Sequence, residues 1–189
     1  MNSEFESYGA FKSASALHPG RISSWIERVL FLKNRYLRFF RLAQKSEPLV
    51  ELGCGSGKFL SVLQSAGFAD LAGVEPSPSY VDQPSGLSIH RCTAQQYLTA
   101  TPSRTIGTFV ALDVFEHIPA MELRNLLSVM YDRLQPGGIV IFRVPNMSSP
   151  FALTNYFGDL THKTPLNEVS IRQLIFGTEF FVEGMYDEP

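Results

Sequence analysis

Apolar positions along the chain fall into two patterns. Ile22, Trp25, Ile26, Val29, Leu30, Tyr36, Leu37 and Phe40 recur at helical spacing behind Ser23 and Ser24, which offer an N-cap. They predict a long amphipathic helix ending near Lys45, before Pro48. Beyond it the apolar residues come in short unbroken runs, at 49–52, 71–75, 87–89, 106–112 and 139–144. These runs predict five strands. Helical stretches lie between them: one opens at Phe59 and stops at Gly67, one covers 94–98, and one covers 119–134 with Pro136-Gly137-Gly138 after it. Strands that alternate with helices imply right-handed βαβ units and a parallel sheet. Unbroken apolar strands fit a sheet covered on both faces. The expected fold is α/β, a doubly wound, mostly parallel sheet with helices on both faces.

Ligands of such sheets bind at the carboxyl ends of the strands, near the point where strand order reverses. Glu51, Glu75, Asp113 and Asn146 all fall at or just beyond predicted strand ends. Gly53, Gly55 and Gly57 lie between the first strand and the first helix, where a tight turn without side chains lets a ligand touch backbone. Glu75 follows Gly53 by 22 residues, at the end of the next strand. An acid there can accept both hydroxyls of a ribose. The pattern therefore predicts nucleoside binding. Pyrophosphate is disfavoured, because Lys58 stands where G-x-G-x-x-G requires its third glycine and no phosphate-loop Gly-Lys-Ser or Gly-Lys-Thr follows.

These residues also resemble a family. Val50-Glu51-Leu52-Gly53-Cys54-Gly55-Ser56-Gly57 is similar to the first motif of class I S-adenosylmethionine-dependent methyltransferases, and Val74-Glu75-Pro76-Ser77 to their second. The segment from Ala111 to Pro119 resembles their fourth strand and its exit, and Leu134-Gln135-Pro136-Gly137-Gly138 the turn before the fifth. The resemblance spans roughly Pro48 to Asn146. Val144-Pro145-Asn146 and Gly158-Asp159-Leu160-Thr161-His162 further resemble a subgroup linked to polysaccharide, lipid or small-molecule methylation.

The resemblance implies a Rossmann-like domain that binds S-adenosylmethionine and releases S-adenosylhomocysteine. It implies that Gly53, Gly55 and Gly57, with Cys54 among them, shape a loop around the methionine part. Glu51 would hold that loop and the amino group. Glu75, followed by Pro76, would bind the ribose. Thr93, Ala94 and Gln95 would border the adenine, although the family often has Asp where Thr93 stands. Asp113 and Val114 would lie beside the cofactor. The chain departs from the pattern at its end: residues 179–182 resemble the start of a sixth strand, and no sequence follows for a seventh. The expected organisation is an arm over 1–20 and one domain over 21–189. Within it, 21–45 forms a helical lid, 48–146 the cofactor core, and 147–189 an acceptor-side loop, helix and edge strand.

Transfer to a hydroxyl requires a base. His117, just after the fourth strand, and His162, on the loop beyond Asn146, are the candidates, with Glu116 and Asp159 as groups that could orient them. The rival readings are a non-catalytic S-adenosylmethionine-binding module and an NAD-dependent oxidoreductase or epimerase; Lys58 counts against the latter. Phe151, Tyr156 and Phe157 either line an acceptor pocket or pack.

Bulk properties narrow the setting. With 44% hydrophobic and 18% charged residues over 189 positions, the chain can bury a core and is not disordered. Cys54 and Cys92 form no CxxC, no metal-ligand cluster is visible along the sequence, and no metal is expected. The absence of a long apolar run or a leader pattern gives a cytoplasmic expectation. Seven basic residues and one acid lie between Arg21 and Lys45, against nine and 17 elsewhere. That segment predicts a lid with a wet basic face, or contact with an anionic surface, rather than nucleic acid. A second copy covering the sheet edge is a further expected partner, beside a small-molecule, glycan or lipid-linked acceptor.

Overall fold

A computed structural model describes residues 36–77 and 86–186. The first part of the basic helix and the arm before it lie outside the described residues. What is described of that segment is a single 3-10 turn, Leu37–Phe40, followed by turns rather than helix up to Lys45. Tyr36 and Phe40 are buried against Phe59, with ring centroids 5.9 and 5.5 Å away.

Among the described residues, five strands form one parallel sheet: β1 (Leu49–Leu52), β2 (Leu71–Val74), β3 (Ser88–His90), β4 (Ile106–Leu112) and β5 (Leu134–Arg143), in the order β3-β2-β1-β4-β5. The α-helices among them are α1 (Lys58–Ser65), α2 (Ala94–Ala100), α3 (Ala120–Arg133), α4 (Ala152–Phe157) and α5 (Glu168–Ile175). Side-chain alternation sorts the core into two layers. Val50, Leu52, Phe109 and Ala111 face α2 and α3 through Leu98, Leu123, Leu126 and Met130. Leu49 and Val110 face α1 through Phe59, Leu60 and Leu63. The sheet is thus covered on both sides, as its unbroken apolar runs predict.

The chain runs outward from β1 through β2 to β3, then returns to add β4 on the other side of β1. The order reverses between β1 and β4, and the loops leaving these two strands diverge there. Register levels the strand ends, with Leu52 opposite both Val74 and Ala111. Gly53, Glu75 and Asp113 consequently share one rim.

Most strand ends fall within a residue of expectation, and two segments differ by more. β5 begins at Leu134, because Leu134 already pairs with Ile106; Gln135 to Gly138 form an irregularity in the register before pairing resumes at Thr108 and Ile139. Residues 179–182 form no strand; Phe180 instead packs on Tyr131 at 5.4 Å between centroids, and Phe181 is exposed. Among the described residues β5 is therefore an edge. No helix among them is long and apolar enough to cross a membrane.

Candidate active site

The glycine loop leaves β1 by a sharp turn. Gly53, Gly55 and Gly57 have φ of 70°, 54° and 75°, the left-handed region that side chains disfavour. At Gly53 space is also limiting: a Cβ there would lie 2.5 Å from Val114 Cγ2. Val114, expected beside the cofactor, is what brings the exit of β4 against the loop. Cys54 packs on Gly73, where a Cβ would meet its Sγ at 2.5 Å. Burial, with the charges of Glu51 and Glu75 behind it, pushes the Cys54 thiol far up, so it is a space-filler rather than a nucleophile.

Two acids hold this loop. Glu75 Oε2 accepts the Gly55 N–H at 3.0 Å and Oε1 the Ser77 N–H at 2.7 Å. Burial raises its pKa, against the lowering effect of those two bonds and of Arg91. Glu51 is buried beneath the loop, on the face that carries α1. Its pKa is raised well above the carboxylate range, first by burial and then by Glu75, with a bond from the Leu60 N–H in the first turn of α1 opposing. Among the described residues its Oε2 has no hydrogen-bond partner.

The cofactor implied by the family can be tested against this geometry. Each Glu75 oxygen has a lone pair left after its backbone bond, as the two hydroxyls of a ribose require. The loop offers bare backbone, and Glu51 Oε2 is an acceptor suited to an ammonium or hydroxyl donor. These residues fit S-adenosylmethionine.

Other residues expected at the cofactor have partners within the protein. The Thr93 hydroxyl caps α2: it accepts from Gln96 N at 3.2 Å, and Gln96 Oε1 accepts from Thr93 N at 2.9 Å. Its hydroxyl is committed to this capping box, while Ala94 and Gln95 form the first turn of α2. The T-x-x-Q spacing carries that signal. Asp113 has φ of 56°, and its carboxylate accepts both Nε and Nη2 of Arg143 from the end of β5. Arg143 also donates to the Tyr36 hydroxyl. Sequence reasoning missed Arg143; its one signal is a charge closing an apolar run.

The two histidines meet. His117 ends the 3-10 turn Phe115–His117, and His162 arrives on the loop after α4. Their ring centroids are 4.6 Å apart. The Glu116 carbonyl accepts Lys163 N at 2.7 Å and Thr164 N at 3.0 Å, which fastens the loop to the turn. The Tyr156 carbonyl takes the His162 Nδ1 proton at 2.7 Å. Thr161 Oγ1 donates to Asp159 Oδ1 at 2.6 Å and so accepts from His117 Nδ1 at 2.8 Å. In their neutral form both imidazoles then carry the proton on Nδ1 and the lone pair on Nε2. The buried Glu116 side chain brings Oε1 to 4.0 Å from His162 Nε2. The sequence shows no metal-ligand cluster because these residues lie 45 positions apart; the fold assembles Glu116, His117 and His162 into one, with a ligand atom from each within 4.8 Å of the others.

An open cleft that runs along the β5 edge to the strand exits is lined by Asp113, Glu116, His117, Asn146, Asp159 and His162, among others; Glu51, Gly53 and Glu75 are not in its lining. Of the three loop aromatics, Tyr156 is buried with its ring 5.0 Å from that of His162, whereas Phe151 and Phe157 are exposed.

Comparison with known proteins agrees with this geometry. A methyltransferase-domain family model matches residues 24–175. No curated protein matches the chain. An S-adenosylmethionine-dependent methyltransferase from Archaeoglobus fulgidus superposes with a TM-score of 0.71 at 22% identity, covering 78% of this chain and 66% of its own. Magnesium protoporphyrin IX methyltransferase from Synechocystis PCC 6803, with bound S-adenosylhomocysteine, gives 0.58 at 17% identity, covering 92% of this chain and 84% of its own. The chain thus spans just under two thirds of the Archaeoglobus protein, and likenesses at these identities speak to fold alone. The family match over most of the chain, on this sheet order and glycine loop, leads to one conclusion: the chain belongs to the methyltransferase-domain family, built on the class I S-adenosylmethionine-dependent fold.

Proposed function

We propose that the protein transfers the methyl group of S-adenosylmethionine to an oxygen of a small-molecule, sugar or lipid-linked acceptor. The observation that carries the choice of oxygen is the histidine pair in the cleft. A hydroxyl must lose its proton as it is methylated, and two imidazoles whose Nδ1 atoms are fixed by Tyr156 and Thr161 present Nε2 for such work. Gly53, Gly55, Glu75 and Glu51 hold the cofactor. When bound, S-adenosylmethionine supplies an electrophilic methyl: an O–C bond forms as the C–S bond breaks and its electron pair returns to sulfur. The protein's share is to align the acceptor, which converts binding into proximity, and to take up its proton.

Calorimetric titration with S-adenosylmethionine, S-adenosylhomocysteine and NAD tests the first half. Binding of the sulfur nucleosides but not NAD supports it; NAD binding alone overturns it. Purified protein is then offered sugar nucleotides, glycolipids and phenols, with methyl incorporation as the readout. Binding without incorporation into any hydroxyl, together with methylation of amines, would overturn the oxygen assignment.

A further inference from the structure

We propose that Glu116, His117 and His162 form a binding site for a divalent transition-metal cation of the zinc, manganese or iron type. One ligand atom from each residue lies within 4.8 Å of the other two. Two imidazoles and one carboxylate are a donor set that suits such cations and disfavours magnesium or calcium, which take oxygen ligands.

Three further features support the site. The first is the state of the histidines. Metal-bound imidazoles hand their other ring N–H to a carbonyl or carboxylate, which fixes tautomer and ring orientation. His162 does so to the Tyr156 carbonyl. His117 does so to Thr161 Oγ1, itself bonded to Asp159. The second is spacing. His162 Nε2 and Glu116 Oε1 are 4.0 Å apart, too far for a direct hydrogen bond. Ligand atoms bonded to one tetrahedral cation at about 2.0–2.2 Å lie about 3.4 Å from each other, so a bound cation would draw these two side chains together by roughly 0.6 Å. The third is access. Glu116 is buried while both histidines line the cleft, so three protein ligands would leave open positions on its side.

With neutral imidazoles and an ionised Glu116, a bound divalent cation carries one net positive charge. An alkoxide in an open position neutralises it. This use of the site rests on the oxygen-methylation reading and deepens it: the cation, rather than a free imidazole, would lower the hydroxyl's pKa. The existence of the site does not depend on that reading.

The test uses Co2+ as probe on the full chain after dialysis against a chelator. Expected is uptake of one equivalent with the visible absorption of four- or five-coordinate cobalt, displaced by Zn2+. His162→Ala and Glu116→Gln should each weaken Co2+ binding by ~100-fold or more, and Thr161→Val, which keeps all three ligands, by about 10-fold. Equal, weak Co2+ binding in wild type and Thr161→Val, or a spectrum of six-coordinate aqueous cobalt, would overturn the proposal even if the other variants fail to fold. S-adenosylhomocysteine titration of the stripped protein separates the two readings. Its binding with no cobalt site removes the metal alone, and cobalt binding without the nucleoside removes the methyl-transfer reading alone.

Discussion

Glu75 Oε2 accepts the backbone N–H of Gly55 at 3.0 Å, so the acid at the end of β2 is also the brace of the loop after β1. Ribose recognition and loop shape are therefore carried by one carboxylate. Glu75→Ala should weaken S-adenosylhomocysteine binding by roughly 10- to 100-fold, equivalent to about 1.4–2.8 kcal/mol. Glu75→Gln, which keeps one acceptor oxygen, should lose less. Calorimetry reads both, and wild-type affinity in Glu75→Ala would remove Glu75 from the site.

Gly53 joins two costs for any side chain. Its left-handed backbone penalises Ala by about 1–2 kcal/mol, and the added Cβ would strike Val114 Cγ2. Gly53→Ala should lower the denaturant midpoint without changing the slope. Adding Val114→Ala should return the clash component, so the pair should be less destabilised than the sum of the two single changes. Simple additivity would show that Val114 moves aside freely.

Turnover should depend on both histidines. His117→Ala and His162→Ala are each expected to reduce kcat by ~10²–10⁴-fold while leaving S-adenosylhomocysteine affinity within a few-fold of wild type. Loss of turnover with equal loss of nucleoside binding would instead mean that the loop had collapsed.

Glu51 gives a signed pH dependence. Its pKa is raised by burial, so the folded state binds the proton more tightly than the unfolded chain. That contribution to stability is fully present below the ordinary value of 4.5 and is lost as pH rises through the raised value. Glu51→Gln removes the linkage while keeping the volume. The variant should match wild type in acid and exceed it near neutrality, as read by denaturant unfolding at each pH; a constant difference across that range would contradict this.

The centre of the sheet was legible because β1 and β4 are buried on both faces and read as apolar runs. β1 and β4 were placed residue for residue, and α3 to within a residue at each end, by Pro119 and Pro136-Gly137-Gly138. The C-terminal segment misled, since Phe180 and Phe181 look like a strand whereas one of them packs on Tyr131 and the other faces water. Strand-end position exposed the rim residues but not their pairing. Nothing local tells that Asp113 turns onto Arg143, whereas the T-x-x-Q spacing does mark Thr93 as the cap of α2. The histidine cluster was the least visible, because Glu116 and His162 come together only through a loop whose docking rests on backbone bonds and on two threonine hydroxyls far away in sequence from their partners.

That docking has a dynamic consequence. Lys163 and Thr164 both give their amide protons to the carbonyl oxygen of Glu116. Their exchange with deuterated solvent is therefore gated by release of the loop from the turn after β4. Residues of an exposed loop ordinarily exchange through local opening at little free-energy cost. Here two neighbouring amides would exchange together, at a rate set by how often the Glu116 turn lets go, while the amide of the almost wholly exposed Leu160 exchanges ahead of them. His162 is thus carried by a surface loop but tethered, through its two following residues, to the turn that leaves β4.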